Sequence, residues 1–162
     1  MTRIAVFSDS HGDKQALDAL LEKMGPIDAC CFLGDVASDA MHLCGRISLL
    51  PGRVPFYAVK GNNDYSSSLP TVRVEEIGGK RIYMTHGHLC SSALSLAYTA
   101  LENGADAALF GHTHAYFCEE VQGVLLLNPG SAGNTCRGGA ARACVLTIDG
   151  GRMHVEDVHM FD

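Results

Sequence analysis

Two histidines of Gly111-His112-Thr113-His114 stand two residues apart at the end of a short apolar run, residues 105–110. In an extended chain residues i and i+2 point to the same side, so both imidazoles can face one point just past the strand. A glycine in front lets the backbone turn there without steric cost. The pattern recurs along the chain. Asp9-Ser10-His11 follows the apolar run 3–8, Gly34-Asp35 follows 28–33, Gly61-Asn62-Asn63-Asp64 follows 54–59, and His86 follows 81–85. Five predicted strands thus end in side chains of metal-ligand type: Asp9, His11, Asp35, Asn62, His86, His112 and His114. Carboxylate, imidazole and amide oxygen together suit borderline divalent ions such as Mn, Fe, Co, Ni or Zn. Calcium wants more oxygens and structural zinc more sulfur. One ion rarely takes so many protein ligands, whereas two ions about 3.5–4 Å apart with a shared carboxylate would use the set well. Asp35 is the expected bridge, with Asp9 and His11 on one ion and Asn62, His86 and His112 on the other. Such a pair acidifies a bridging water and clamps a phosphate, which points to phosphoester hydrolysis by attack of a metal-bound hydroxide.

The elements that must position these residues are legible in outline. Asp13 can cap a helix whose apolar face is Leu17, Leu20, Leu21 and Met24, stopped by Gly25-Pro26. Ser38 is the expected cap of a second helix, with Met41, Cys44 and Ile47 along one side. With the strands between them this reads β-α-β-α-β, the pattern of a parallel sheet with covering helices. After a polar loop at Ser66-Ser67-Ser68, strands 71–77 and 81–85 flank the hairpin signal Gly78-Gly79. A third helix is predicted over 91–103, with Leu94, Ala97, Tyr98 and Leu101 on its face. The remainder reads as strands at 116–121, 124–127, 142–148 and 152–158, with Asp149-Gly150-Gly151 as a tight turn. Two packed sheets with helices outside accommodate this order.

Composition narrows the function classes. A chain of 162 residues with 47% hydrophobic and 19% charged residues is expected to form one domain, 1–162, with a substantial core. A formal charge of −6 argues against general affinity for nucleic acid or acidic membranes and suits a site that collects divalent cations. Seven cysteines in no C-x-x-C spacing read as reduced, buried thiols of a cytoplasmic protein. No apolar stretch approaches the ~20 residues of a membrane span.

The series Asp9-x-His11, Gly34-Asp35, Gly61-Asn62-x-Asp64, His86 and Gly111-His112-x-His114 resembles the calcineurin-like metallophosphoesterases, in motif and in order. The runs Thr85-His86-Gly87-His88 and Asn128-Pro129-Gly130-Ser131 are similar to those of the compact YfcE-type phosphodiesterase branch. The resemblance implies an α/β (α+β) fold, a four-layer αββα sandwich of two mixed sheets with a di-metal site at the strand C-terminal ends. It assigns Asp9, His11, Asp35 and His114 to one metal, and Asp35, Asn62, His86 and His112 to the other. Two divalent ions are expected, Mn first and Fe, Zn, Co or Ni after it. The expected substrate is a small-molecule phosphodiester, and a homo-oligomer stays open. The family also holds a scaffold, the Vps29 type, that acts as a protein-interaction platform with a degraded ligand set; this sequence keeps every ligand position.

One departure has chemical weight. Larger family members carry His where this chain has Asn63, and an amide can hydrogen-bond to phosphate but cannot donate a proton as an acid. Activated esters are therefore the expected preference. Beyond the ligands, Asn62, Asn63 and His88 are candidates to position the phosphate, with His88 alternatively a helix cap. Asp64 is expected to orient the site through a hydrogen bond. Ser10 should point away from the ligands, the 128–131 turn reads as an ordinary turn that could lie near the site, and His42, His154 and His159 read as surface or satisfied histidines.

Overall fold

The computed structural model describes residues 1–133 and 140–160. Cys136, one of the thiols expected to be reduced, lies outside the described residues. The first sheet has the order β10-β9-β1-β2-β3, with β1 Thr2–Phe7, β2 Ala29–Phe32, β3 Phe56–Ala58, β9 Arg142–Asp149 and β10 Arg152–His159. β1, β2 and β3 run parallel, while β9 and β10 are antiparallel additions. The second sheet has the order β4-β5-β6-β8-β7, with β4 Val72–Ile77, β5 Lys80–Thr85, β6 Ala107–Leu109, β7 Phe117–Val121 and β8 Val124–Asn128. Its centre, β5-β6-β8, is parallel and its edges are antiparallel. Helices α1 Lys14–Met24 and α2 Ala37–Ile47 pack on the first sheet, and α3 Ala93–Glu102 on the second.

Three apolar cores separate four layers, and strand alternation sorts residues between them. Ala5 and Phe7 of β1 face the helices with Cys30 and Phe32 of β2, whereas Ile4, Val6, Ala29 and Cys31 meet the second sheet. On that sheet Ile82, Met84, Ala107 and Leu109 face inward, while Tyr83, Ala108 and Leu126 turn to α3. Strands buried on both faces read as continuous apolar runs, as the sequence has them. The αββα sandwich is the architecture expected.

Two helix faces differ from expectation. On α2 the buried residues are Asp39, Ala40, Leu43 and Ile47, and Met41 and Cys44 face solvent. The helix is rotated because the Asp39 carboxylate accepts hydrogen bonds from Ser10 Oγ (2.5 Å) and the Gly12 amide (2.7 Å), turning that side inward. Nor does Ser38 cap α2. The helix starts after Val36, and the Ala37 amide donates instead to Asp64 Oδ1 at 2.7 Å. On α3 the buried face is Leu96, Ala97 and Ala100, with Leu94, Tyr98 and Leu101 about half exposed. Small residues let that helix sit close to β6 and β8, so bulk is left outside. Asp13 does cap α1, accepting from the Ala16 amide, and Ser92 caps α3.

Candidate metal centre

The register of the two parallel sheet centres brings the ends of β1, β2, β3, β5 and β6 to one edge of the sandwich. The loops leaving those strands are tied to one another by backbone hydrogen bonds, from Asp9 N to Gly34 O (2.8 Å) and from Gly111 N to His86 O (2.9 Å). Such an edge is where parallel sheets place their ligand sites. Every residue of the proposed ligand set lies on these loops.

Two groups of ligand atoms converge there. Asp9, His11 and His114 form one, and Asp9, Asp35 and His86 the other, each with its ligand atoms within 4.8 Å of one another. Asp9 Oδ1 lies 3.2 Å from His114 Nε2, 3.7 Å from His86 Nε2 and 3.8 Å from His11 Nε2. Asp9 is fully buried, yet this oxygen accepts no hydrogen bond from the described residues. Its other oxygen accepts from Ser8 Oγ (2.6 Å) and the His112 amide (2.9 Å), which fixes the carboxylate's orientation. An unsatisfied buried oxygen costs about 1–3 kcal/mol, more when charged, unless something binds it. The carboxylate common to both groups is Asp9.

Asp35 sits in the second group, 3.5 Å from His86 Nε2, with its oxygens held by the Asn63 amide (3.1 Å) and the Asn63 side chain (2.8 Å). Burial opposes its ionisation, but the bonds from His86 and Asn63 outweigh this and hold the carboxyl well below the usual carboxylate range. His86 is buried, and its Nδ1–H donates to the Leu33 carbonyl at 2.8 Å. Nε2 is therefore aimed at the acids, and an outer partner of this kind is how a ligating histidine is oriented. Burial works against the charged ring, but Asp35, Asp9 and the Leu33 carbonyl prevail and raise its pKa. Asn62 Oδ1 lies 3.0 Å from His86 Nε2 and 3.1 Å from His112 Nδ1, and His11 and His114 approach at 3.2 Å. Carboxylates, imidazole nitrogens and an amide oxygen converging this closely fit borderline divalent ions. The donor set fits the metal pair expected.

The remaining candidates take distinct places. Asn63 is exposed, but its amide groups are engaged with Asp35. Asp64 is buried and accepts from the Gly61 and Ala37 amides, so it braces the loop. His88 lies 5.5 Å from the His86 ring and 6.2 Å from that of His112, on the site side, and α3 is capped by Ser92. Burial, then the neighbouring His86 and His112, lower its pKa. Ser10 points away toward Asp39, and His42 is satisfied by Asp18 at 2.8 Å.

Three further residues support the site without being marked as ligands in the sequence. Asn128, read there as part of an ordinary turn, is fully buried and donates to the Gly111 carbonyl (3.1 Å) and Thr113 Oγ1 (3.0 Å). Ser131 Oγ donates to the Asp9 carbonyl at 2.8 Å, so the 128–131 turn underlies both ligand loops. Asp39 clamps the Asp9–Gly12 loop from α2. An acidic residue in a helix's first turn reads as a match to the helix dipole, so nothing in the sequence marks it.

The calcineurin-like phosphoesterase superfamily domain matches residues 2–151. The chain belongs to that superfamily. It is 32% identical over 132 residues to the probable metallophosphoesterase YsnB of Bacillus subtilis, covering 79% of this chain and 73% of that one. It also matches vacuolar protein sorting-associated protein 29 of Schizosaccharomyces pombe, 34% identical over 116 residues, 67% of this chain and 57% of that one. The crystal structure of a predicted phosphoesterase from Streptococcus pneumoniae superposes with a TM-score of 0.79 at 30% identity, covering 98% of this chain and 90% of that one. This is a metallophosphoesterase fold with candidate divalent-metal ligands at the expected edge. No helix among the described residues is long and apolar enough to cross a membrane.

Proposed function

We propose that this phosphoesterase binds two divalent ions, Mn foremost, and hydrolyses small-molecule phosphodiesters in the cytoplasm. The observation that carries this reading is Asp9 Oδ1, a buried carboxylate oxygen with no hydrogen bond, ringed by three imidazole nitrogens. One ion would be held by Asp9, His11 and His114, the other by Asp35, Asn62, His86 and His112, with Asp35 or Asp9 shared. When bound, such ions supply an acidified water and neutralise phosphate charge. The chain's own groups do the positioning. Ser8 and the His112 amide turn Asp9, Asn63 holds Asp35, and the Leu33 carbonyl orients His86. His88, beside His86 and His112, would hydrogen-bond a phosphate oxygen. Asn63 carries no acidic proton for a leaving group, which favours activated esters.

The test is hydrolysis of paired aryl phosphodiester and phosphomonoester substrates by protein stripped with chelator and reloaded with Mn, with His86→Ala alongside. Activity should return with Mn, favour the diester, and vanish in His86→Ala. Folded, metal-loaded protein without activity would instead support a protein-interaction platform, the reading that the resemblance to protein 29 of the vacuolar sorting machinery suggests.

A further inference from the structure

A cleft of about 660 Å³ opens beside the metal centre, between α2 and the loop spanning residues 63–69. That volume lies within the range of small-molecule sites. Asn63 joins the two: it lines the cleft while its side chain donates to Asp35 Oδ2 at 2.8 Å. The far wall is apolar, formed by Val36 and Met41 of the α2 segment, Phe56 and Ala58 of β3, and Leu69 of the loop. Met41 is 79% exposed, on the same helix that turns Leu43 and Ile47 inward. Core packing gives no reason for an apolar side chain at that place. A flexible thioether at the mouth of a cleft suits an adaptable apolar contact.

The charged groups lining the cleft are already engaged. Asp64 accepts from two backbone amides, at 2.7 Å each. Arg73 is paired with Glu75 at 2.8 Å and lies over the Tyr57 ring, 5.2 Å from its centroid. A second phosphate or a carboxylate would find its cation competed for, whereas a neutral ring would meet apolar surface and the hydroxyls of the 66–68 rim.

We propose that this cleft is the specificity pocket for the organic group of the substrate, and that it selects a neutral, apolar ester substituent of about aryl size. The inference rests on the phosphoesterase reading above. It separates this wall from the metal centre: the centre holds phosphate and the cleft reads what the phosphate carries.

The test uses Mn-reloaded protein turning over methyl p-nitrophenyl phosphate, inhibited in parallel by diphenyl phosphate and dimethyl phosphate. These two anions carry the same charge and differ in apolar bulk. Diphenyl phosphate should bind about tenfold or more tightly than dimethyl phosphate, from the apolar area it buries. Met41→Glu and Ser68→Trp, which charge and fill the cleft from exposed positions, should each cut that ratio about threefold or more. Met41→Leu should preserve it, as should Leu101→Glu on α3. Equal inhibition by both anions, or a ratio unmoved in both cleft variants, overturns the pocket while turnover leaves the phosphoesterase reading standing. No turnover by folded, metal-loaded protein overturns both.

Discussion

Glycines at the two edges of the sandwich show two different uses of the residue. At the edge away from the metal centre, Gly79, Gly123, Gly150 and Gly151 all have positive φ, and a Cβ on any of them would meet nothing within 4 Å. They serve conformation, letting tight turns join antiparallel strands. At the site edge Gly61 and Gly111 lack positive φ, but a Cβ would lie 1.9 Å from Asp35 Oδ1 and 2.0 Å from Ser8 Oγ. They serve proximity. Gly111 was expected to ease a turn, yet the positive φ falls on the neighbouring candidate ligands: Asp9, His11, Asp35, His112 and His114. Each such non-glycine residue costs on the order of 1–3 kcal/mol and persists only where its surroundings over-determine it. Five of the six non-glycine residues with positive φ among the described residues thus lie on the ligand loops, with Gln122 of the β7–β8 turn the sixth, and strain gathered in this way marks a site held for function.

Charge at the strained edge should break first. Asp9→Asn is expected to reduce turnover by roughly 10³-fold or more, beyond the 10–100-fold that removal of an outer partner costs. Metal stoichiometry separates the two candidate bridges. If Asp9 is shared, Asp9→Asn loses both equivalents and Asp35→Asn keeps one; the reverse result returns the bridge to Asp35.

The glycines come next. Gly61→Ala and Gly111→Ala should each lower stability by about 1–3 kcal/mol through overpacking, and should weaken metal binding as well. Gly150→Ala, strained in conformation but free in space, should cost about 1–2 kcal/mol and leave the metal isotherm unchanged. Thermal unfolding with a parallel metal titration reads both, and a shared metal phenotype would erase the contrast between the edges.

Smaller effects are expected beneath the loops. Ser131→Ala and Asn128→Ala remove hydrogen bonds to the Asp9 carbonyl and the histidine loop, and should weaken metal affinity by about 10–100-fold with the fold retained. Unchanged affinity would make the 128–131 turn a mere connection. The smallest change concerns chemistry rather than binding. Asn63→His should raise turnover of alkyl esters by a few-fold, or on the order of tenfold, relative to aryl esters. No gain on poor leaving groups would remove the proton-donor argument.

The sequence by itself determined the sandwich and which ligand-type residues it gathers at one edge. Apolar runs ending in Asp, Asn and His are a local pattern, and parallel strands deliver their ends to one edge, so the sequence alone brings Asp9, Asp35, His86 and His114 together. Caps with a side chain next to the helix they serve, such as Asp13, were legible for the same reason. Tertiary structure decided what depends on rotation and on partners distant in sequence. Whether α2 buries Met41 or Asp39 turns on a hydrogen bond to Ser10 across 29 positions. That Asp64 and not Ser38 satisfies the start of α2 turns on another across 27. A hydrophobic period marks a stripe but not which long-range polar contacts will rotate it. The same holds for Asp9: its residue type announced a ligand, but only packing left one of its oxygens buried, unbonded and facing three imidazoles.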